Sequence, residues 1–223
     1  MNENHNRYSR LSLEEIWDQV PSDYYQRSIE ANFLQRMWHT RKLKMVVKLI
    51  GEEKNMPKNI LDVGCASGWF LSELECRYPK ASYTGVDVYK KAIDYGMKRY
   101  KKLKLVCADG HKLPFPNESF DMVICTEVLE HVKNPEKVLQ EIKRVLAKDG
   151  VVIIEMDSGN ILFRMIWYWW THLRRGVWRD SHIHAFNTKK LENIIKKCNF
   201  VIHNKEVFNY TMAVVFKLSK IIN

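Results

Sequence analysis

The chain reads as a doubly wound α/β domain, with helices on both faces of a mostly parallel, seven-stranded sheet. Three observations predict it. From residue 59 onward, short apolar segments alternate with amphipathic ones. The first apolar segment, Ile60-Leu61-Asp62-Val63, runs straight into the glycine-punctuated turn Gly64-Cys65-Ala66-Ser67-Gly68. The second ends on Asp87, 19 residues beyond Gly68. Alternation of this kind implies right-handed crossovers and a sheet covered on both sides. At 223 residues, with no Gly-, Ser- or Pro-rich boundary, one core is the simplest arrangement. We expect a helical extension over residues 1–56 and a single domain over 57–223.

Element by element, Ser22-Asp23 predicts the cap of one long helix through Ile29, Phe33, Met37, Leu43, Val46, Val47 and Ile50, stopped by Gly51 and Pro57. The pattern then predicts strand 59–63, helix 68–77, strand 82–86, helix 89–100, strand 103–107, strand 120–125, helix 134–147 and strand 150–156. Asn134-Pro135-Glu136 is a start signal, with Asn as the cap and Pro in the first helical position. Asn187-Thr188 opens helix 188–198, and 200–207 and 210–218 read as closing strands.

A glycine turn at the carboxyl end of a strand, with a carboxylate ending the next strand, forms a cradle for a nucleotide-type ligand whose ribose meets the carboxylate. The phosphate-binding form asks for Gly-x-Gly-x-x-Gly at a helix N-terminus. Here the turn is one glycine short and tighter, which favours a ligand without phosphates.

Leu61-Asp62-Val63-Gly64-Cys65-Ala66-Ser67-Gly68 resembles the first motif of the class I S-adenosylmethionine-dependent methyltransferases of small-molecule type. Cys107-Ala108-Asp109-Gly110 resembles their third motif, Phe120–Cys125 their fourth strand, and Leu139–Gly150 the helix and turn before strand five. The resemblance covers about residues 55–157, in the family's order. It implies a Rossmann-like sheet closed by an antiparallel hairpin, and S-adenosyl-L-methionine as cofactor. It further implies that Asp87 accepts from both ribose hydroxyls, with Val88 beside it. Gly64, Ala66 and Gly68 let backbone approach the methionine moiety, and Asp62 orients the turn or meets the amino group. Asp109 and Gly110 lie at the adenine, and Thr126 completes the cofactor-binding set. In the family an N-terminal segment often covers the pocket, which makes Tyr24, Tyr25, Gln35, Trp38 and His39 candidates for a lid.

Thr126-Glu127-Val128-Leu129-Glu130-His131 follows strand four, at the sheet edge where ligands bind in open α/β folds. Glu127, Glu130 and His131, with another imidazole from the downstream His182-Ile183-His184, resemble the divalent-metal site of small-RNA terminal-ribose methyltransferases. The same turn also occurs in relatives where it shapes the pocket wall, so we assign no metal ligand. His131 is the candidate general base for a hydroxyl acceptor, with His184 as a second imidazole, because imidazole titrates near neutrality.

Charge is uneven. The formal net charge is +10, and residues 161–223 hold 11 Lys+Arg against 3 Asp+Glu, while 105–160 hold 6 against 10. The basic run Lys98–Lys104 suits anionic lipid, nucleic acid or merely a solvated helix end. Five scattered cysteines without a C-x-x-C pair suggest reduced thiols, and no signal-peptide pattern opens the chain, so we expect a cytoplasmic protein. The aromatic-rich insert at about 160–180 reads as a helix. Across 160–178, Arg164, Tyr168, Thr171, His172 and Arg175 form a narrow polar stripe against Ile, Leu, Phe, Met and Trp. With about ten apolar residues it is too short for the ~30 Å hydrocarbon core. It suits a peripheral membrane helix, or equally a pocket cover or partner contact. Together these features predict a methyltransferase acting on a small-molecule or lipid-like acceptor, with peripheral membrane contact through 160–178. RNA ribose methylation with a divalent metal is the less favoured alternative. A non-catalytic adaptor is disfavoured by the complete Gly64, Gly68, Asp87 and Asp109 set.

Overall fold

Ile60, Leu61 and Val63 are buried because the strand that carries them lies inside the sheet, with a parallel neighbour on each side. The structure is a computed structural model describing residues 19–53, 55–169, 182–184 and 186–221. In chain order the elements are α1 (Tyr24–Ala31), α2 (Phe33–Gly51), β1 (Asn59–Val63), α3 (Trp69–Arg77), β2 (Ser82–Asp87), α4 (Lys90–Arg99) and β3 (Lys104–Cys107). They continue with β4 (Phe120–Thr126), α5 (Pro135–Val145), β5 (Leu146–Asp157), α6 (Ile161–Tyr168), α7 (Thr188–Lys197), β6 (Phe200–Phe208) and β7 (Ala213–Lys220).

The sheet order is β3-β2-β1-β4-β5-β7-β6, parallel from β3 through β5, with β7 antiparallel to both neighbours. The chain reverses its direction of travel between β1 and β4, so a crevice opens at their carboxyl ends, where open α/β sheets bind ligands. Alternate residues of each strand feed two cores. Leu61, Val63, Val123, Cys125, Val152 and Ile154 pack with α5 and α7. Ile60, Met122, Ile124 and Ile153 pack with Leu43, Val46, Leu49 and Ile50 of α2 and with Leu71 and Leu74 of α3. Burial on both faces explains why the central strands read as continuous apolar runs.

The N-terminal region departs from expectation: the single long helix is two. Asn32 is extended (φ −127°, ψ 113°), and its side-chain oxygen accepts from the Leu34 and Gln35 amides at 2.9 and 3.3 Å. A short amide side chain that caps its own neighbours ends one helix and starts the next. Asp23 makes no capping bond; its carboxylate meets Arg27 at 2.7 Å. The caps at Asn134 and Asn187 form as expected, accepting from Lys137 and Lys190 amides. Strand β5 starts at Leu146, ahead of the predicted residue 150, since Leu146 pairs with Phe120 before a register shift. Strand β7 starts only at Ala213, because Asn209, Tyr210 and Thr211 all take positive φ in the preceding turn. In the insert, α6 covers Ile161–Tyr168, while Thr171, His172 and Arg175 of the expected polar stripe lie outside the described residues. Among the described residues, no helix is long and apolar enough to cross a membrane.

Helix α2 is fastened to the sheet by more than its apolar face. Lys42 is 4% exposed, and its Nζ lies 2.8 Å from Glu127 Oε2, while Trp38 Nε1 donates to Glu127 Oε1 at 2.7 Å. At the far end Lys48 meets Glu206 at 2.8 Å. Removing one partner of a buried pair leaves the other charge uncompensated, at a cost of about 3 kcal/mol. Lys42→Met should lower the unfolding free energy by that order. The sign with pH follows from Glu127, which the fold holds at about 2 against an ordinary 4.5. Its contribution is present above 4.5 and fades toward 2, so the deficit should be largest at neutral pH and shrink on acidification. Urea titrations of both proteins at pH 7 and pH 4 measure it; an equal deficit at the two values would count against the pairing.

Candidate functional site

The glycine turn is laced to the ends of β2 and β3. Gly64 and Cys65 amides donate to the Val86 carbonyl at 2.8 and 3.1 Å, and the Ala66 amide donates to Asp87 Oδ2 at 2.8 Å. The Tyr89 amide takes the other oxygen of Asp87 at 2.8 Å, and the Ala108 amide donates to the Asp87 carbonyl at 3.0 Å. Gly64, Ala66, Gly68, Asp87 and Val88 therefore form one cluster, and β3 brings Asp109 and Gly110 to the same edge. Gly64 has φ 81°, and a Cβ there would lie 2.1 Å from Val128 Cγ2, so both conformation and space demand glycine. Gly96, which the sequence reading passed over, lets α4 press on the turn: a Cβ would meet the Ser67 carbonyl at 2.2 Å.

The carboxylates here differ in environment. Burial raises Asp87 despite the amides of Tyr89 and Ala66 that favour its charge. Asp62 is 2% exposed, and its Oδ1 has no hydrogen-bond partner among the described residues. Burial pushes Asp62 up to about 7 against the opposing pull of Lys42. An orphaned, buried acceptor beside a glycine turn suits a ligand ammonium, which is what the amino end of S-adenosylmethionine carries. Asp109 is largely exposed, and its Oδ1 receives the His111 amide at 2.8 Å and lies 2.6 Å from His111 Nδ1. Val88 is 52% exposed, and Thr126 is buried at the end of β4.

Helix α1 sits on this cluster. Gln26 Nε2 donates to Ser67 Oγ at 2.9 Å and to Tyr100 Oη at 3.0 Å. Tyr25 is held well above the usual phenol range by burial, then by the charges of Glu127 and Asp87. Tyr25, next to Gln26 on this helix, lines a cavity of about 260 Å³. All five expected lid residues, Tyr24, Tyr25, Gln35, Trp38 and His39, line that cavity. Gln26 had no sequence signal, being one polar residue among many on its helix.

The turn after β4 supplies the opposite wall with Glu127, Glu130 and His131. Glu127 sits at φ 54°, its carboxylate occupied by Lys42 and Trp38. Burial opposes its charge, yet Lys42 and then His39 hold it at about 2. His39 is lowered to about 4 by burial and by Lys42. Glu130 is 2% exposed and raised well above the carboxylate range, by burial first and Asp157 second. Asp157 is raised to about 7 by burial. His184 does not join the wall: its Nε2 lies 3.0 Å from the Val132 carbonyl. The imidazole that joins is His182, whose ring centroid lies 4.8 Å from that of His131 and whose Nδ1 is 3.8 Å from Asp157 Oδ2. Burial, then His131, lowers His182 to about 3. His182 lies on a segment 51 residues from His131, and only the tertiary docking of that segment distinguishes it from its neighbour His184. Phe163 and Trp167 of α6 complete the wall, with Trp167 stacked on His182 at 4.3 Å.

With known proteins the chain shares both sequence and fold. A methyltransferase-domain profile matches residues 61–154. The chain is 34% identical over 103 residues to malonyl-[acyl-carrier protein] O-methyltransferase of Legionella pneumophila, covering 45% of this chain and 36% of the relative. It is 32% identical over 122 residues to demethylmenaquinone methyltransferase of Thermotoga maritima, covering 54% and 52%. The chain thus spans about half the length, or less, of these curated relatives. A crystal structure of a SAM-dependent methyltransferase from Thermotoga maritima superposes with a TM-score of 0.72 at 19% identity, covering 94% of this chain and 100% of the other. Glycine turn, strand order and matched motifs agree: residues 61–154 match a methyltransferase domain, and the fold around them is similar to that of S-adenosylmethionine-dependent methyltransferases.

Proposed function

We propose that this protein transfers a methyl group from S-adenosylmethionine to a small-molecule or lipid-like acceptor held in the cavity beneath α1 and α2. The carrying observation is helix α1, where half-buried Tyr25 lines the cavity while the adjacent Gln26 is bonded to Ser67 of the glycine turn, which makes cofactor cradle and cavity neighbours. The relatives named for malonyl-[acyl-carrier protein] and demethylmenaquinone support this acceptor class.

Bound S-adenosylmethionine supplies an activated methyl group with a neutral thioether as leaving group, so the chain's contribution is chiefly positioning. Asp87 receives the ribose hydroxyls, with Val88 as an apolar neighbour. The turn Gly64-Ala66-Gly68 lies along the methionine moiety, and Asp62 takes its ammonium. Asp109 and Gly110 meet the adenine, and Thr126 closes the cradle at β4. His131 faces the acceptor in the cavity wall. By calorimetry, S-adenosylhomocysteine should bind the wild type at least tenfold more tightly than Asp87→Ala, the roughly 1.4 kcal/mol expected for charge-assisted hydrogen bonds. Indistinguishable affinities would remove Asp87 from the cofactor site.

We also propose peripheral contact with a lipid surface through α6. Ile161, Met165 and Ile166 are exposed, and Ile166, Trp169 and Leu34 belong both to the exposed apolar surface and to the cavity lining. An apolar rim around the mouth lets a lipid-like acceptor pass without crossing water. Ile161→Ser/Met165→Ser should cut cosedimentation with anionic phosphatidylglycerol vesicles several-fold while leaving S-adenosylhomocysteine affinity unchanged. A wild-type chain that stays in the supernatant would end this reading.

A further inference from the structure

Buried carboxyl groups at and around the cavity wall outnumber the buried cations that could pair with them. Asp62, Glu130, Glu155 and Asp157 are all buried, whereas Lys42 is the buried ammonium among the described residues and is engaged by Glu127. Glu130 Oε2 and both oxygens of Glu155 have no hydrogen-bond partner among the described residues. Uncompensated buried carboxylates are expensive, and a bound cation relieves them.

The geometry says where such a cation sits. One ligand atom each from Glu130, His131 and His182 lies within 4.8 Å of the others. Backbone bonds hold this convergence: the Ile183 and His184 amides donate to the Glu130 carbonyl at 3.0 and 3.2 Å. His184, anchored on Val132, steadies the segment, and Asp157 lies beside His182 Nδ1 as an outer carboxylate orienting the ring. All three groups line the cavity.

We propose that Glu130, His131 and His182 bind a divalent first-row metal ion, and that the ion takes an oxygen of the methyl acceptor. Two imidazoles and one carboxylate suit manganese, iron or zinc better than calcium or magnesium, and three protein ligands leave coordination positions open to the cavity. The inference rests on the reading of this cavity as the acceptor pocket. In it His131 serves as a ligand, in place of the general-base role suggested by sequence. An acceptor hydroxyl on the ion gives its proton to water. Its oxygen forms the new C–O bond as the methyl C–S bond breaks, the electron pair passes to sulfur, and no redox partner is needed. The substrate class narrows to acceptors that present a hydroxyl.

The test uses manganese alone. The full chain, stripped with chelator, is titrated with Mn²⁺ while free ion is read by electron paramagnetic resonance. One ion should bind per chain, and Glu130→Gln and His182→Gln should each weaken binding at least tenfold. S-adenosylhomocysteine calorimetry on the same samples reports folding and the cofactor site independently, so a failed metal site is distinguishable from a failed cofactor reading. His131→Gln provides a third variant should one of the others not fold. Absence of Mn²⁺ binding in wild type, equal affinity in folded variants, or full methylation of an amine acceptor in excess chelator would each overturn the proposal.

Discussion

Much of the functional end of this molecule hangs on the Glu127 carboxylate. It sits where β4 leaves the sheet, in a left-handed backbone conformation that turns the following residues toward the cavity. Its oxygens are taken by Lys42 and Trp38, two residues on adjacent turns of α2. One carboxylate therefore fixes the roof to the floor. Apolar contacts from Leu43, Val46, Leu49 and Ile50 make α2 adhere to the sheet, but such contacts are non-directional. The ion pair and the indole bond set the orientation that brings Trp38 and His39 over the cavity.

The electrostatics around that anchor are unbalanced in a patterned way. At the glycine turn, Asp87 has its oxygens engaged by the Ala66 and Tyr89 amides, so burial is partly offset by hydrogen bonds. Toward the cavity and behind it, Glu130 and Glu155 have no comparable set among the described residues. Raised carboxylates, among them Asp62 and Asp157 at about 7, mean that the ligand-free chain binds protons that the unfolded chain would have lost. Between an ordinary 3.8 and about 7, these two groups make stability fall as pH rises, opposite in sign to Glu127. A site that costs stability when empty and recovers it on binding is what ligand-completing charge looks like.

Helix α6 joins the two halves of the functional reading. Phe163 and Trp167 turn inward, stacking near His182 and beside Trp38, while Ile161, Leu162 and Met165 face outward and Ile166 lies on the rim between. The helix is apolar on both sides because its two faces meet different apolar surroundings: the cavity within, and in our proposal lipid without.

The sequence by itself determined the scaffold and the glycine-turn half of the candidate site. Periodicity, caps at Asn134 and Asn187, and the spacing from Gly68 to Asp87 are local signals, set by backbone geometry and by residues near one another in the chain. That is why strands, crossovers and the cluster of Gly64, Ala66, Gly68 and Asp87 were legible. The break at Asn32 was also local, but a capping side chain in the middle of an amphipathic pattern is easily overridden by the pattern. Around the cavity, the lid residues and the Glu127–His131 turn were legible, but which groups pair with which was decided by tertiary structure. Nothing in the chain distinguishes His182 from His184, or marks Lys42 among the many lysines, because each choice is made by contacts 51 and 85 residues away. Glu127 resembled a ligand until Lys42 claimed it, and His182 stood level with His184 until the Glu130 carbonyl caught the amides beside it. Long-range packing and the cost of burying charge settled both, and neither leaves a period or a spacing in the sequence.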